Sequence, residues 1–184
     1  MTDVFSVLAA DHARVSALSD QLTGPSAVPA DQPRRRKAVA NELVMELSRH
    51  EVIEEILLWP VVRERLDDGQ KMCETALEQE HDGKRALQEL LHVEAGNYKF
   101  DNLANTVASI LRQHIGYEEN IVWPKLRLAL SEEEAGRLGA EMELAKRTAP
   151  TRPHPHVPPD PRLLKTIGPA AAVLDKARNT LRRS

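Results

Sequence analysis

The chain has 184 residues, of which 41% are apolar, 29% charged and only 3% aromatic, with 8 glycines; that length suits one well-filled core rather than two full domains, and that balance suits packed amphipathic helices, so the expected class is all-α. A formal net charge of −3 gives no electrostatic reason for a nucleic acid or an anionic membrane as partner. No stretch approaches the ~20 apolar residues of a membrane span, the opening MTDVFSVLAADHARV has no basic leader before an apolar run, and the single Cys73 cannot form an internal disulfide, so the expected location is the cytoplasm.

The first helix is expected from Thr2 or Asp3, either of which can cap it, to about Leu22, with Gly24, Pro25 and Pro29 breaking the chain behind it. Phe5, Leu8, His12, Val15 and Leu22 share one face. The second opens near Asp31 with Pro33 in its first turn and carries Val39, Leu43, Leu47, His50, Glu54, Leu57 and Val61 along one stripe, ending at Asp67, Asp68 and Gly69. The basic run Arg34, Arg35, Arg36, Lys37 at its start reads as a solvated face. A third helix spans about Gln70 to Glu94, its stripe interrupted by Glu80, Gly83 and Lys84; Cys73, spaced helically from Met72 and Leu77, reads as a buried apolar residue. The fourth runs from about Asp101 to Leu128, with Leu103, Val107, Ile110, His114, Glu118, Ile121 and Val122 at core-facing spacings. A shorter fifth begins at Ser131, a capping residue with Glu133 and Glu134 in the first turn, and reaches about Lys146. These make one bundle over residues 1–148. The segment from Ala149 to Pro161, APTRPHPHVPPDP, is too rich in proline for helix or sheet, so residues 149–184 form a tail with a short helix possible over 170–181.

Chemistry is signalled where polar residues interrupt the apolar stripes. His50 with Glu54 and His114 with Glu118 occupy positions reserved for Leu or Val. Four residues are about 40° of rotation and about 6 Å of rise, so each pair projects from one face as a two-toothed metal ligand. Buried unpaired, each carboxylate costs on the order of several kcal/mol, which a bound cation removes. The pairs belong to an internal repeat: RHEVIEEILLWP from Arg49 aligns with QHIGYEENIVWP from Gln113, and upstream Asp11, His12, Ala17, Leu18 align with Glu80, His81, Ala86, Leu87. In each copy the proline after tryptophan should kink or end the helix. Two hairpins related by a pseudo-twofold axis would bring four histidines and two glutamates to one level, which suggests two metals bridged by Glu54 and Glu118. Mixed imidazole and carboxylate ligation suits iron or manganese, iron being preferred.

His12, His50 with Glu54, His81, and His114 with Glu118 resemble the hemerythrin HHE cation-binding domain over roughly residues 3–128, and the Pro-His-Pro-His tail is similar to that of actinobacterial, notably mycobacterial, hemerythrin-like proteins. The resemblance implies an up-down-up-down four-helix bundle, here with an appended fifth helix, around two iron ions with an oxo or hydroxo bridge that meet dioxygen or peroxide. One departure is plain. The oxygen carriers of the family use five histidines, and four residues before His81 this chain has Leu77. Water, an open position or a nearby oxygen donor fills that place, the preferred donor being Tyr117, one turn after His114; packing of Tyr117 at the bundle wall is the alternative. Glu51 and Glu80, next in sequence to ligand histidines, read as solvated, with orientation of the imidazoles or direct ligation as alternatives. His92, about 16 Å along the helix from His81, and His154 and His156 in the tail are given no role.

Two functions follow from the resemblance. The first is a catalase-like enzyme of oxidative-stress defence that disproportionates hydrogen peroxide; the second is a non-catalytic carrier or sensor of dioxygen, nitric oxide or iron. A metal-free structural bundle leaves six polar residues in core stripes without a reason.

Overall fold

The computed structural model describes residues 2–154. The tail beyond His154, with His156 and the short helix expected over 170–181, lies outside the described residues. Among the described residues there is no strand, and no helix is long and apolar enough to cross a membrane.

The helices begin where the sequence supplies caps. In α1 (Val4–Thr23) the Asp3 carboxylate accepts the Ser6 amide at 2.7 Å; α2 (Pro33–Ile53) opens on proline, whose missing N–H is no loss in a first turn. α4 (Gly69–His92) follows a three-residue break at Leu66–Asp68, α5 (Tyr98–Tyr117) is capped by Asn97, and α7 (Glu132–Ala145) carries a reciprocal capping box between Ser131 and Glu134. The basic run before α2 is not all solvated. Arg36 is buried over the Phe100 ring and paired with Asp101, and the Lys37 amine donates to the carbonyls of Leu90, Leu91 and Val93, closing the C-terminal end of α4.

Neither Trp-Pro ends its helix. After α2 the chain makes a π turn at Glu54–Leu58 and continues as α3 (Trp59–Arg65); after α5 it makes a second at Glu118–Val122 and continues as α6 (Trp123–Ala129). In each, the tryptophan amide bonds to the carbonyl of the glutamate five residues back, which gives Pro60 and Pro124 the room their rings need. The extra residue shifts the inward face by one. Leu58 and Val62 are buried where a 3.6-residue period expected Leu57 and Val61, and Val122 is buried while Ile121 is 46% exposed.

α1 packs on α2 and α5, α4 on α5 and α2, and α7 lies across α1, giving the expected four-rod bundle with a fifth helix appended. Two apolar cores fill it. One, from Val15, Leu18, Leu43, Leu47, Leu87 and Leu111 with their neighbours, lies toward the Phe100 end; the other, from Phe5, Leu8, Leu58, Trp59, Cys73, Val122 and Met142, lies toward α7. Cys73 is fully buried, as its spacing implied. Between the cores runs a polar layer.

Candidate metal centre

That layer contains His12 of α1, His50, Glu51, Glu54 and Glu55 of the second rod, Glu80 and Lys84 of α4, and His114 and Glu118 of the fourth rod, all buried. So many ionisable groups persist in an interior only if they are paired or bind a cation.

The three imidazoles share one arrangement. His12 Nε2 lies 2.9 Å from Glu118 Oε2, His50 Nε2 lies 3.2 Å from Glu54 Oε2, and His114 Nε2 lies 3.7 Å from both Glu54 Oε2 and Glu118 Oε1. Each Nδ1 faces away from the centre toward an oxygen: Glu119 Oε1 at 2.8 Å, Asp11 Oδ2 at 3.5 Å and Gln79 Oε1 at 3.2 Å. An acceptor beside Nδ1 favours the tautomer with its proton there, leaving the Nε2 lone pair directed inward, the arrangement that metal-binding histidines adopt. The His12 ring also stacks on Trp123, 5.1 Å between centroids and 10° between planes.

The carboxylates fall into two groups around them. His12, His50, Glu54 and Glu118 offer one donor atom each within 4.8 Å of one another, and so do Glu54, Glu80 and His114. Glu54 belongs to both and is fully buried, with neither oxygen hydrogen-bonded; Glu118 is the same, and Glu80 has one oxygen free while the other accepts Trp59 Nε1–H at 2.5 Å. Burial, together with the negative charges of Glu118 and Glu80, drives Glu54 well above the usual carboxylate range. Burial and the neighbouring Glu55 do the same to Glu80, and burial raises Glu51 to about 8. Burial pushes Glu118 up as well, but the imidazoles of His114 and His12 outweigh it and hold its pKa below the ordinary value. Burial lowers His114 to about 4 and also lowers His50, so both rings are neutral donors near pH 7. The only buried ammonium among the described residues of the layer, Lys84, pairs with Glu55 and stands 3.8 Å from Glu80.

His12, His50, Glu54, His114 and Glu118 are thus brought together, and two expected ligands are not. His81 is exposed, because one residue on an α-helix is about 100° of rotation and α4 turns Glu80, not His81, to the centre. Glu80 and Glu51, expected in solvent, are buried. Tyr117 packs against the core nearer α7, where its hydroxyl donates to the Met72 carbonyl at 3.4 Å and burial raises its pKa, which is the packing at the bundle wall weighed above as the alternative to ligation. His92 is exposed at the far end of α4, and its Nδ1 lies 2.7 Å from the Gln88 carbonyl. The residues missed were the partners behind the imidazoles and the Glu55–Lys84 pair. For the latter a signal existed: Glu80, Gly83 and Lys84 fall in register with Cys73, Ala76 and Leu87 on the buried face of α4.

Buried oxygens without hydrogen bonds, converging with inward Nε2 atoms, are the donor set a cation needs, so the layer fits a metal centre. By fold and site this is a helical-bundle protein with a His and carboxylate cluster able to hold a cation. The profile of the hemerythrin HHE cation binding domain matches residues 3–126, and the chain belongs to that family. It is 30% identical over 184 residues, all of this chain and 88% of the relative, to an uncharacterized hemerythrin-like protein of Schizosaccharomyces pombe. It is 22% identical over 144 residues to a DNA nickase of Nostoc sp., covering 78% of this chain and 39% of that protein. A crystal structure of a hemerythrin HHE cation binding domain-containing protein from Mycobacterium kansasii has the same fold, with a TM-score of 0.67 and 23% identity, covering 95% of this chain and 99% of that one.

Proposed function

We propose that the polar layer holds two iron ions with an oxo or hydroxo bridge and that the protein disproportionates hydrogen peroxide, two molecules giving two of water and one of dioxygen. The observation that carries the two-metal part is the pair of donor groups sharing Glu54. Glu54, Glu80 and Glu118 bring three buried carboxylates to those groups, while the ammonium of Lys84 pairs with Glu55, an excess of negative charge that bound cations offset. Oxygen-rich donors with three imidazoles suit iron rather than zinc or calcium.

Two irons supply a two-electron couple, which is what peroxide chemistry without radical release requires. The chain's own part is to bind, exclude and hold protons. A cavity of about 20 Å³ lined by Glu51, Glu80 and His114 among others has room for one molecule of about the size of water or peroxide, and one of about 110 Å³ beside His50 has room for several. Glu51, whose carboxyl keeps its proton to about pH 8, lines the smaller one, where a proton is needed to release water. With one buried, unpaired cysteine, Cys73, we place this work in a reducing cytoplasm.

The test is metal analysis and an optical spectrum of the purified chain, followed by hydrogen peroxide with an oxygen electrode. About two irons per chain with sustained oxygen release supports the proposal. Iron without turnover makes the protein a carrier or sensor, and a chain that takes up no iron overturns the reading.

A further inference from the structure

The family match ends at residue 126, yet a residue beyond it pairs with Asp11, the carboxylate behind His50 of the metal layer. Helix α7 is anchored on α1 by Leu138 and the fully buried Met142, and Gly139 lies so close to the chain's start that a Cβ there would sit 2.7 Å from the Thr2 carbonyl oxygen. This fixes the position of Lys146 at the C-terminal end of α7. Its amine lies 2.8 Å from Asp11 Oδ1 and 3.5 Å from Glu143, while Asp11 Oδ2 lies 3.5 Å from His50 Nδ1. One carboxylate thus stands between an ammonium and an imidazole. Asp11, Glu46, Arg49, His50 and Lys146 line the cavity of about 110 Å³ on this side of the layer.

The three oxygens behind the imidazoles are held differently. Glu119 is 2.8 Å from His12 and Gln79 is 3.2 Å from His114, contacts short enough to fix their own geometry, whereas Asp11 approaches His50 Nδ1 only to 3.5 Å, an ion-pair distance at which that nitrogen makes no hydrogen bond. Asp11 is also partly exposed, at 24%, so water competes for its oxygens. A second tether is what keeps such a carboxylate turned inward, and Lys146 supplies it.

We propose that Lys146 is a positioning residue of the metal centre, holding Asp11 against His50 Nδ1 and so fixing the imidazole whose Nε2 binds metal, which makes α7 a working part of the site. This rests on the metal-centre reading above. Partners behind a metal-binding histidine are worth roughly 10–100-fold in metal affinity, and Lys146, one step further out, should be worth the lower end of that range.

The experiment loads the full chain with cobalt(II), then measures release to a chelator and the visible cobalt spectrum in the wild type, Lys146→Met, Lys146→Arg, Asp11→Asn, and Lys146→Met with Asp11→Asn. The expected result is roughly tenfold faster release of one cobalt in Lys146→Met, with a changed spectrum, and recovery in Lys146→Arg. In the Asp11→Asn background Lys146→Met should add nothing, because its route to the metal is already cut. Release at the wild-type rate in Lys146→Met overturns the inference, and so does an effect of full size in the Asp11→Asn background, which would mean that Lys146 acts only by holding α7. Failure of the wild type itself to bind cobalt would defeat the metal reading first and this inference with it.

Discussion

Replacing Glu51 by glutamine should stabilise the metal-stripped protein, and the gain should grow with pH. Glu51 is 4% exposed, one of its oxygens has no hydrogen-bond partner, and burial raises its pKa from 4.5 to about 8 despite the nearby Lys84. The folded chain therefore keeps this proton over a range in which the unfolded chain has lost it. Stability is fully present below about pH 4.5, falls as pH rises, and levels off above about 8. At about 1.4 kcal/mol per pH unit the loss is about 3 kcal/mol at pH 7 and about 5 kcal/mol by pH 8. Glutamine keeps the shape and cannot ionise, so the variant escapes this loss, and the charge it removes is also one of those that raise Glu54, Glu80 and Lys84. Urea unfolding followed by circular dichroism, on chelator-treated wild type and Glu51→Gln at pH 5, 7 and 8.5, isolates the difference. The two curves should nearly meet at pH 5 and diverge by several kcal/mol at pH 8.5. Parallel curves, separated by a constant amount within about 0.5 kcal/mol, would refute the assignment of a buried, proton-holding carboxyl at this position.

Glu80→Gln should lower the metal bound per chain while His81→Ala leaves it unchanged, as measured by metal analysis of the two purified variants; the reverse would restore His81 as the ligand of α4. Trp59→Phe removes the indole hydrogen bond to Glu80 Oε1 and should weaken metal binding roughly tenfold, read by competition with a coloured chelator. Gly139→Ala drives a methyl group against the backbone of Thr2 and Asp3 and should cost about 1–3 kcal/mol, a fall of roughly 2–10 °C in thermal midpoint.

The bundle was legible because each helix carries its own start and stop signals: the expected ends at Leu22, Asp67 and Lys146 differ from the observed ones by a residue or two. The two pairs His50–Glu54 and His114–Glu118 were legible because a polar residue in an apolar stripe is conspicuous and each pair ends at the first residue of its π turn, where the period is still unaltered. What followed the π turns was not. A constant 3.6-residue repeat cannot register one added residue, so Leu57, Val61 and Ile121 were assigned to the inward face, which Leu58, Val62 and Val122 occupy, Val122 alone of these three having been expected there. The error at His81 has a different origin. Aligning acidic–His pairs treats chemical identity as the repeated feature, whereas what repeats is the inward position, and the residue of α4 at that position is Glu80. The apolar register of Cys73, Ala76, Leu87 and Leu90 carries that information, and the polar residues that seemed to spoil the stripe belong to the layer.

That one-residue difference makes the halves of the centre unequal. The scaffold repeats: each π turn begins at a donor glutamate and delivers a tryptophan toward the donor of a helix in the other hairpin, Trp123 onto His12 and Trp59 onto Glu80. The donors do not repeat. One group has two imidazoles with Glu54 and Glu118, and the other has one imidazole with Glu54 and Glu80, backed by Glu55 and Lys84. An ion in the second group would meet a larger share of hard, charged oxygen, which favours the more oxidised state, while the imidazole-rich group favours the less oxidised one. Two ions held there as proposed would meet unequal charge, and the ammonium of Lys84 lies on the side of the second group.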